Sequence, residues 1–367
     1  MNQMKMKKLC SFILIAFIIV LSSSVASAAK SGILSKPLKK IKSDAVDVGF
    51  VKGTNQVLVL SRKAVVLFDK DSGQELARHE FGTLEIPLRL DLADVNSDGQ
   101  PEALVTSVSS KNLSSYLFSI SGGSLSVTAG ELPYFFRTIN KNGQDLLVGQ
   151  RSSSVEPFAG AIFELKWRGK KFSKGSKLDL PKRVGIYQFT PADPFLWDKF
   201  WVRKSGGQLR LYEKVGKKWK VVYKTSDRYR GDVNCFEIKL DKIMTERIKE
   251  PLCIPTPAIV LTDSVKGESR IIVDSHKFLL GGVILDPSVP MKGALELLVF
   301  DEDDGLISCK TFGPYQGWIA NYFVETTGEG SKNKTELFVL RNGDKKYGAG
   351  GRISKIDITN IDCRDEM

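Results

Sequence analysis

Histidine is almost missing from this chain, whose 367 residues contain only two, His79 and His276. No histidine-based triad and no HExxH zinc site can be assembled from them, and both read as strand-surface residues. A GxSxG elbow, a phosphate-binding loop and a Gly-rich dinucleotide fingerprint are missing as well. Carboxylates do cluster at Asp301, Asp303 and Asp304. They fall in a hairpin turn, where a solvated face accounts for them. No CxxC spacing occurs among the five cysteines, which argues against a structural zinc site. Helical periodicity is also hard to find beyond the first thirty or so residues, and no later apolar run reaches the roughly 20 residues of a membrane-spanning helix. These absences leave one enzyme reading, a fold that gathers acids from several loops over a common channel.

What is present begins with "MNQMKMKKLCSFILIAFIIVLSSSVASAAK". Lys5, Lys7 and Lys8 precede an apolar run from Leu9 to Leu21, followed by small residues through Ala28. This is the layout of a secretory signal peptide over residues 1–28, cleaved after Ala28 or Ala29. Cys10 lies ahead of the apolar core, so it is not the lipidated first residue of a lipoprotein. The expected destination is the periplasm or the extracellular space. Residues 29–44 form a basic segment ahead of a single domain at 45–362.

The formal charge is +12, and further basic clusters occur at Arg168–Lys177 and Lys214–Lys224. For an exported chain nucleic acid is an unlooked-for partner; a protein, or an anionic polymer of a cell surface, is the expected one. Four cysteines follow the leader, Cys235, Cys253, Cys309 and Cys363. An even number in an exported chain points to disulfides. Three pairings exist, of which we favour Cys235 with Cys253, bracketing one excursion, and Cys309 with Cys363.

Short β-rich runs such as "NQVLVLS", "AVVLFDK", "AIFELKW" and "TELFVLR" recur between Gly, Asn, Asp and Ser turns, which indicates an all-β fold. The runs also repeat as a group. Six segments open alike with strand, polar loop and strand: "VDVGFVKGTNQVLVL", "LDLADVNSDGQPEALV", "YFFRTINKNGQDLLVG", "GIYQFTPADPFLWDKFWV", "AIVLTDSVKGESRIIV" and "NYFVETTGEGSKNKTELFVL". Leu58, Leu104, Leu147, Trp201, Ile272 and Phe338 are taken as equivalent, and they are 46, 43, 54, 71 and 66 residues apart. Such a period predicts a β-propeller of four-stranded blades. Six blades are countable, the gap after Lys224 leaves room for a seventh, and a strand from the other terminus is expected to complete the first blade. "FDKDSGQEL", "YEKVGKKW" and "FDEDDGLIS" read as outer hairpins.

In "DLADVNSDGQPEALV", Asp94, Asn96 and Asp98 alternate and Gly99 follows. This pattern converges side-chain oxygens on a calcium ion, with the Gln100 carbonyl and Glu102 completing the set and Gly99 taking the sharp turn. The twelfth position is Val105 and the flanks read as strands, so it is not an EF-hand. The segment resembles the FG-GAP or VCBS repeat of exported, integrin-like bacterial propellers, and the likeness runs from about Asp44 to Ile361. That resemblance implies a propeller with calcium between the first two strands of a blade. The pattern is degenerate elsewhere: Glu325, Thr327, Glu329 and Glu336 mark a partial copy, and Asp263 with Glu268 a weaker one.

The reading is therefore a non-catalytic, exported binding module with one structural calcium ion. The alternatives are an envelope assembly scaffold and a propeller hydrolase acting on an extracellular polymer. Trp197, Trp201, Trp318, Tyr315 and Tyr134 are candidates for an exposed recognition patch, against the plainer reading that they pack between blades.

Overall fold

The structure is a computed structural model that describes residues 45–153, 157–158, 160–204, 206–229, 232–239, 252–262, 269–277, 292–301, 305–316, 318–327, 334–342, 351–359 and 361. The leader, the basic 29–44 segment, Asp263 to Glu268, Asp303, Asp304, Glu329 and Cys363 lie outside these.

Among the described residues every regular element is a strand, and the strands form six small antiparallel sheets in a ring, a six-bladed β-propeller. Blade 1 comprises β1 (Ala45–Val51), β2 (Gln56–Ser61), β3 (Ala64–Asp69) and β4 (Glu75–Glu80). Blade 2 comprises β5 (Glu85–Ala93), β6 (Glu102–Ser109), the short β7 (Asn112–Leu113), β8 (Ser115–Ser121) and β9 (Ser124–Leu132). Blade 3 holds β10 (Phe135–Lys141), β11 (Gln144–Gln150), β12 (Ile162–Trp167) and β13 (Phe172–Lys177). Blade 4 holds β14 (Phe189–Pro191), β15 (Lys199–Arg203), β16 (Gln208–Val215) and β17 (Lys218–Arg228). After a two-stranded excursion, β18 (Asp232–Phe236) and β19 (Leu252–Pro255), blade 5 follows with β20 (Ile259–Thr262), β21 (Ser269–Lys277), β22 (Lys292–Asp301) and β23 (Gly305–Gln316). Blade 6 shows β24 (Ile319–Thr327), β25 (Lys334–Asn342) and β26 (Gly351–Asp357).

The six residues taken as equivalent in the sequence all fall on the second strand of a blade, and all are buried. Both faces of these strands are covered, which is why they read as unbroken apolar runs rather than as alternating ones. In β2, Val57 and Val59 pack on blade 6 while Leu58 and Leu60 pack on blade 2. Outer strands behave differently: "ELARHE" in β4 alternates between half-buried and exposed positions, as a strand with one wet face should. Six apolar clusters result, one at each junction between neighbouring blades.

One open alternative is settled and two expectations are corrected. The gap after Lys224 holds the β18–β19 hairpin, with Cys235 bonded to Cys253 across it, and not a seventh blade. Blade 1 takes its four strands from one consecutive stretch, and the ring closes by blade 1 packing on blade 6. His79 is half-buried among Phe81, Tyr116 and Phe118 and is not a plain surface residue.

Strand order divides the ring into two ends. Turns between first and second strands and between third and fourth strands lie at one end, the hairpin face. Turns between second and third strands and the links between blades lie at the other, the crossover face. The β18–β19 hairpin belongs to a blade link and sits on the crossover face, where Lys111 of the β6–β8 turn region pairs with Glu237 at 2.7 Å. Its Phe236, Ile238 and Ile254 pack with Leu88, Phe135 and Phe189 from the first strands of blades 2, 3 and 4. Since β18 also touches β24 of blade 6, the hairpin lies across the axis and covers that end.

Candidate functional site

The first strands line the axis, and their inward side chains are polar. Asp47 on β1 is fully buried and accepts from the Leu90 N–H of β5 at 2.9 Å. Arg89 lies 3.5 Å from it, and the Asn321 amide of β24 donates to it from the opposite side, so one carboxylate ties blades 1, 2 and 6. Asp91 on β5 repeats the device one blade further on, accepting from the Thr138 N–H of β10 at 2.8 Å. Arg137 then donates to the Ile186 carbonyl ahead of blade 4 at 2.8 Å, and Tyr187 returns a bond to the Phe136 carbonyl at 2.9 Å.

Arg203 of blade 4 and Asp274 of blade 5 form a buried pair at 2.7 Å, and the Tyr322 hydroxyl of blade 6 donates to the same Asp274 oxygen at 3.3 Å. Every junction between blades thus carries a side-chain hydrogen bond in addition to its apolar cluster. Buried polar groups need partners, and at each junction at least one of them belongs to the neighbouring blade.

Burial pushes the Asp47 carboxyl above the usual range, and the Arg89 charge with its hydrogen bonds offsets only part of this. Burial likewise raises Asp91 to about 6 against the pull of Arg89, the Thr138 N–H and Arg137, with Asp47 adding to the rise. Arg137 is lowered to about 10, again by burial first, with Arg89 repelling it and Asp91 supporting its charge. The second Asp91 oxygen, Oδ2, is out of solvent and meets no donor among the described residues.

The acidic loop lies between β5 and β6, on the hairpin face. Asp94 receives the Asp98 N–H at 3.1 Å and the Gly99 N–H at 2.9 Å. Asn96 Oδ1 receives the Asp98 N–H at 2.9 Å, and Asp98 Oδ1 receives that of Gln100 at 2.8 Å. Gly99 has φ +86°, the left-handed turn for which glycine is suited, and a side chain there would meet open space. Glu102 opens β6 and is only 6% exposed. One of its oxygens takes the Val95 N–H at 2.9 Å; the other takes the Asn96 amide at 2.7 Å, an amide that also donates to Asp98 at 2.9 Å. Burial raises the Glu102 carboxyl, and the Asp98 and Asp94 charges add to that.

Asp94, Asn96, Asp98 and Glu102 are therefore linked through one hydrogen-bonded loop, with Gln100 joined by its backbone. The acids are not drawn into one tight knot: among the described residues no three His, Cys, Asp or Glu side chains group as they would around an ion. In blade 6 the equivalent carboxylate, Glu336, is 5% exposed and is neutralised by Lys334 and Lys355, each at 2.6 Å. Glu102 has no such lysine among the described residues.

Trp201 and Tyr134 are buried between blades, and Trp197, Trp318 and Tyr315 pack against apolar clusters, so these aromatics build the ring and do not form a patch. Two adjacent apolar side chains do stand out, Phe195 and Leu196, 67% and 68% exposed, on the β14–β15 turn of the hairpin face; Leu84, in the β4–β5 link, is 67% exposed as well. The sequence signal was "PADPFLWD", where Asp-Pro starts a turn ahead of three large apolar residues. Cys309 is disulfide-bonded, and its expected partner Cys363 lies outside the described residues.

No protein-family profile matches the chain, and no curated protein matches it. Solved structures similar to it include the N-terminal domain of Nup159, with 12% identity, 85% of this chain and 76% of that chain covered, and a TM-score of 0.35. Another is an S. cerevisiae assembly of dbp5 bound to nup159, gle1, IP6 and ADP, with 11% identity, the same coverage of each chain and a TM-score of 0.35.

Proposed function

We propose that this protein is an exported, non-catalytic interaction module, a propeller whose Asp94–Glu102 loop holds one structural calcium ion. The observation that carries the metal is the contrast between two equivalent carboxylates. Glu336 is buried beside two lysines, whereas Glu102 is buried beside Asp94 and Asp98 with only an amide and one backbone N–H for company. The donors are all oxygens, which suits a hard cation. Asp94, Asn96, Asp98 and Glu102 would hold it through side chains and Gln100 through its carbonyl. When bound, the ion supplies the positive charge that lysines supply in blade 6, and so ties the end of β5 to the start of β6.

Export is supported by the leader-like first 28 residues and by the Cys235–Cys253 bond, which an oxidising compartment maintains. The likeness of the loop to the FG-GAP or VCBS repeat fits both. Binding is favoured over catalysis because Asp47 and Asp274, the most deeply buried acids of the ring, are tied to arginines and to neighbouring blades. With the crossover end covered by the β18–β19 hairpin, the hairpin face is the end left for a partner, a protein or a cell-surface polymer.

The test is thermal unfolding with calcium and with chelator, for the wild type and Asp98→Ala. Calcium should raise the wild-type melting temperature by several degrees at concentrations far above Kd, and the variant should lose that rise. An identical melt under all four conditions would refute the metal site.

A further inference from the structure

The β14–β15 turn is built to hold two apolar side chains outward. Asp193 Oδ1 accepts the Phe195 N–H at 2.6 Å and the Leu196 N–H at 3.3 Å, closing a tight turn. Trp197 follows with φ 55°, a left-handed conformation that folds its indole inward onto Phe200, ring centroids 5.5 Å apart. Lys141 of blade 3 covers the other side of that ring at 4.9 Å. The turn is also held by its neighbours: the Asn142 N–H bonds the Pro194 carbonyl at 3.0 Å, and the Lys214 N–H bonds the Asp198 carbonyl at 2.8 Å. Phe195 and Leu196 are thus exposed on a pinned backbone.

Lys214 belongs to the outer hairpin of blade 4, so its contact with Asp198 brings one basic turn alongside, and the outer turn of blade 3 shares the same face of the ring. The outer turn of blade 3 carries exposed Arg168, Lys170 and Lys171, and that of blade 4 carries exposed Lys217 and Lys218 beside the 48% exposed Val215. The nearby acids are mostly engaged already. Glu164 pairs with Lys141, Glu213 with Lys199, Asp179 with Lys214, and Asp193 closes its own turn. A protruding apolar pair among cations is complementary to a surface with an anionic exterior and an apolar interior. A polyanionic polymer would satisfy the lysines but offers no apolar phase for Phe195 and Leu196.

We infer that this sector of the hairpin face, Phe195 and Leu196 with the basic turns of blades 3 and 4, docks on an anionic lipid bilayer. The inference rests on the interaction-module reading and names its surface and partner.

The experiment is vesicle co-sedimentation of the chain from residue 29 onward, which keeps all six blades and removes the apolar leader. Vesicles of phosphatidylglycerol with phosphatidylcholine are compared with pure phosphatidylcholine, and immobilised heparin serves as a polyanion without an apolar phase. The wild type should sediment with anionic vesicles and not with neutral ones. Phe195→Ser with Leu196→Ser should weaken binding by about tenfold or more, given the apolar area withdrawn, with an unchanged melting temperature because neither side chain is buried. Lys170→Glu with Lys217→Glu should weaken it as well and flatten its salt dependence.

No sedimentation with anionic vesicles overturns the inference. So does vesicle binding that the serine variant retains in full, and equal binding to heparin would then identify a polyanion surface. Either result leaves the module reading to be judged by the calcium melt, which does not involve this turn.

Discussion

Replacing Asp91 with Asn tests whether the polar ring on the axis is a pH-dependent part of the fold. The carboxyl of Asp91 is raised from 3.8 to about 6 in the folded chain, mainly by burial. Below pH ~3 it is mostly protonated in both states. As pH rises toward 6 the unfolded chain gives up this proton first, so Asp91 costs the folded state more and more until it too ionises. The full cost above pH 6 is about 3 kcal/mol, from roughly two units at 1.36 kcal/mol each, with about 1 kcal/mol of it already present at pH 4.5.

Asn keeps the acceptor for the Thr138 N–H and removes the charge, and whatever its new amide N–H costs beside Arg89, Arg137, Asp47 and Tyr187 is nearly the same at both pH values. Urea unfolding followed by tryptophan fluorescence at pH 4.5 and 7.5 should therefore show stability shifting toward the variant by about 2 kcal/mol between the two. An equal difference at both pH values would refute the burial argument. A shift the other way would mean that Arg89 and Arg137 outweigh burial and hold the carboxyl ionised.

Three further variants test a junction and the β18–β19 hairpin. Arg203→Met leaves Asp274 charged and buried, and should lower stability by about 3–5 kcal/mol, whereas Arg203→Met with Asp274→Leu should recover much of that; chemical unfolding of both checks it, and an equal loss in both would refute the pairing. Cys235→Ser with Cys253→Ser opens a loop with a sequence separation of 18, worth about 3 kcal/mol by loop entropy. Its loss should lower the melting temperature and admit protease to the β18–β19 hairpin, and unchanged proteolysis would count against the hairpin being held over the axis.

Much of the ring was legible because the blade period is written in the second strands. These are buried on both faces, so each copy repeats an apolar run whatever its loops do, and Leu58 to Phe338 could be aligned without a structure. The excursion bracketed by Cys235 and Cys253 was legible, but the gap after Lys224 also left room for a seventh blade, since four-residue strands such as "LCIP" look the same in a hairpin as in a sheet. The acidic loop was legible as a pattern, but the contrast between Glu102 and Glu336 depends on Lys355, which is distant in sequence and pairs only once β26 lies beside β25. The axial ring was not legible at all. A lone Asp or Arg in a strand, such as Asp47 or Arg137, carries no local sign that its partner lies on the next blade.

That ring also shows how side chains help blades 6 and 1 close on each other. Blade 1 draws β1 to β4 from one consecutive stretch, so its own sheet takes no strand from the other terminus. Among the described residues the junction between blades 6 and 1 is held by Phe338 and Leu340 packed on Val57 and Val59, by Asn321 on Asp47, and by the Asn342 amide on the Ala45 carbonyl at 3.0 Å. Such a closure concentrates its burden on a few buried side chains near the axis and the crossover face. The hairpin-face turns carry little of it, which is why blade 2 can place an acidic loop there and blade 4 an outward Phe–Leu pair without disturbing the strands beneath.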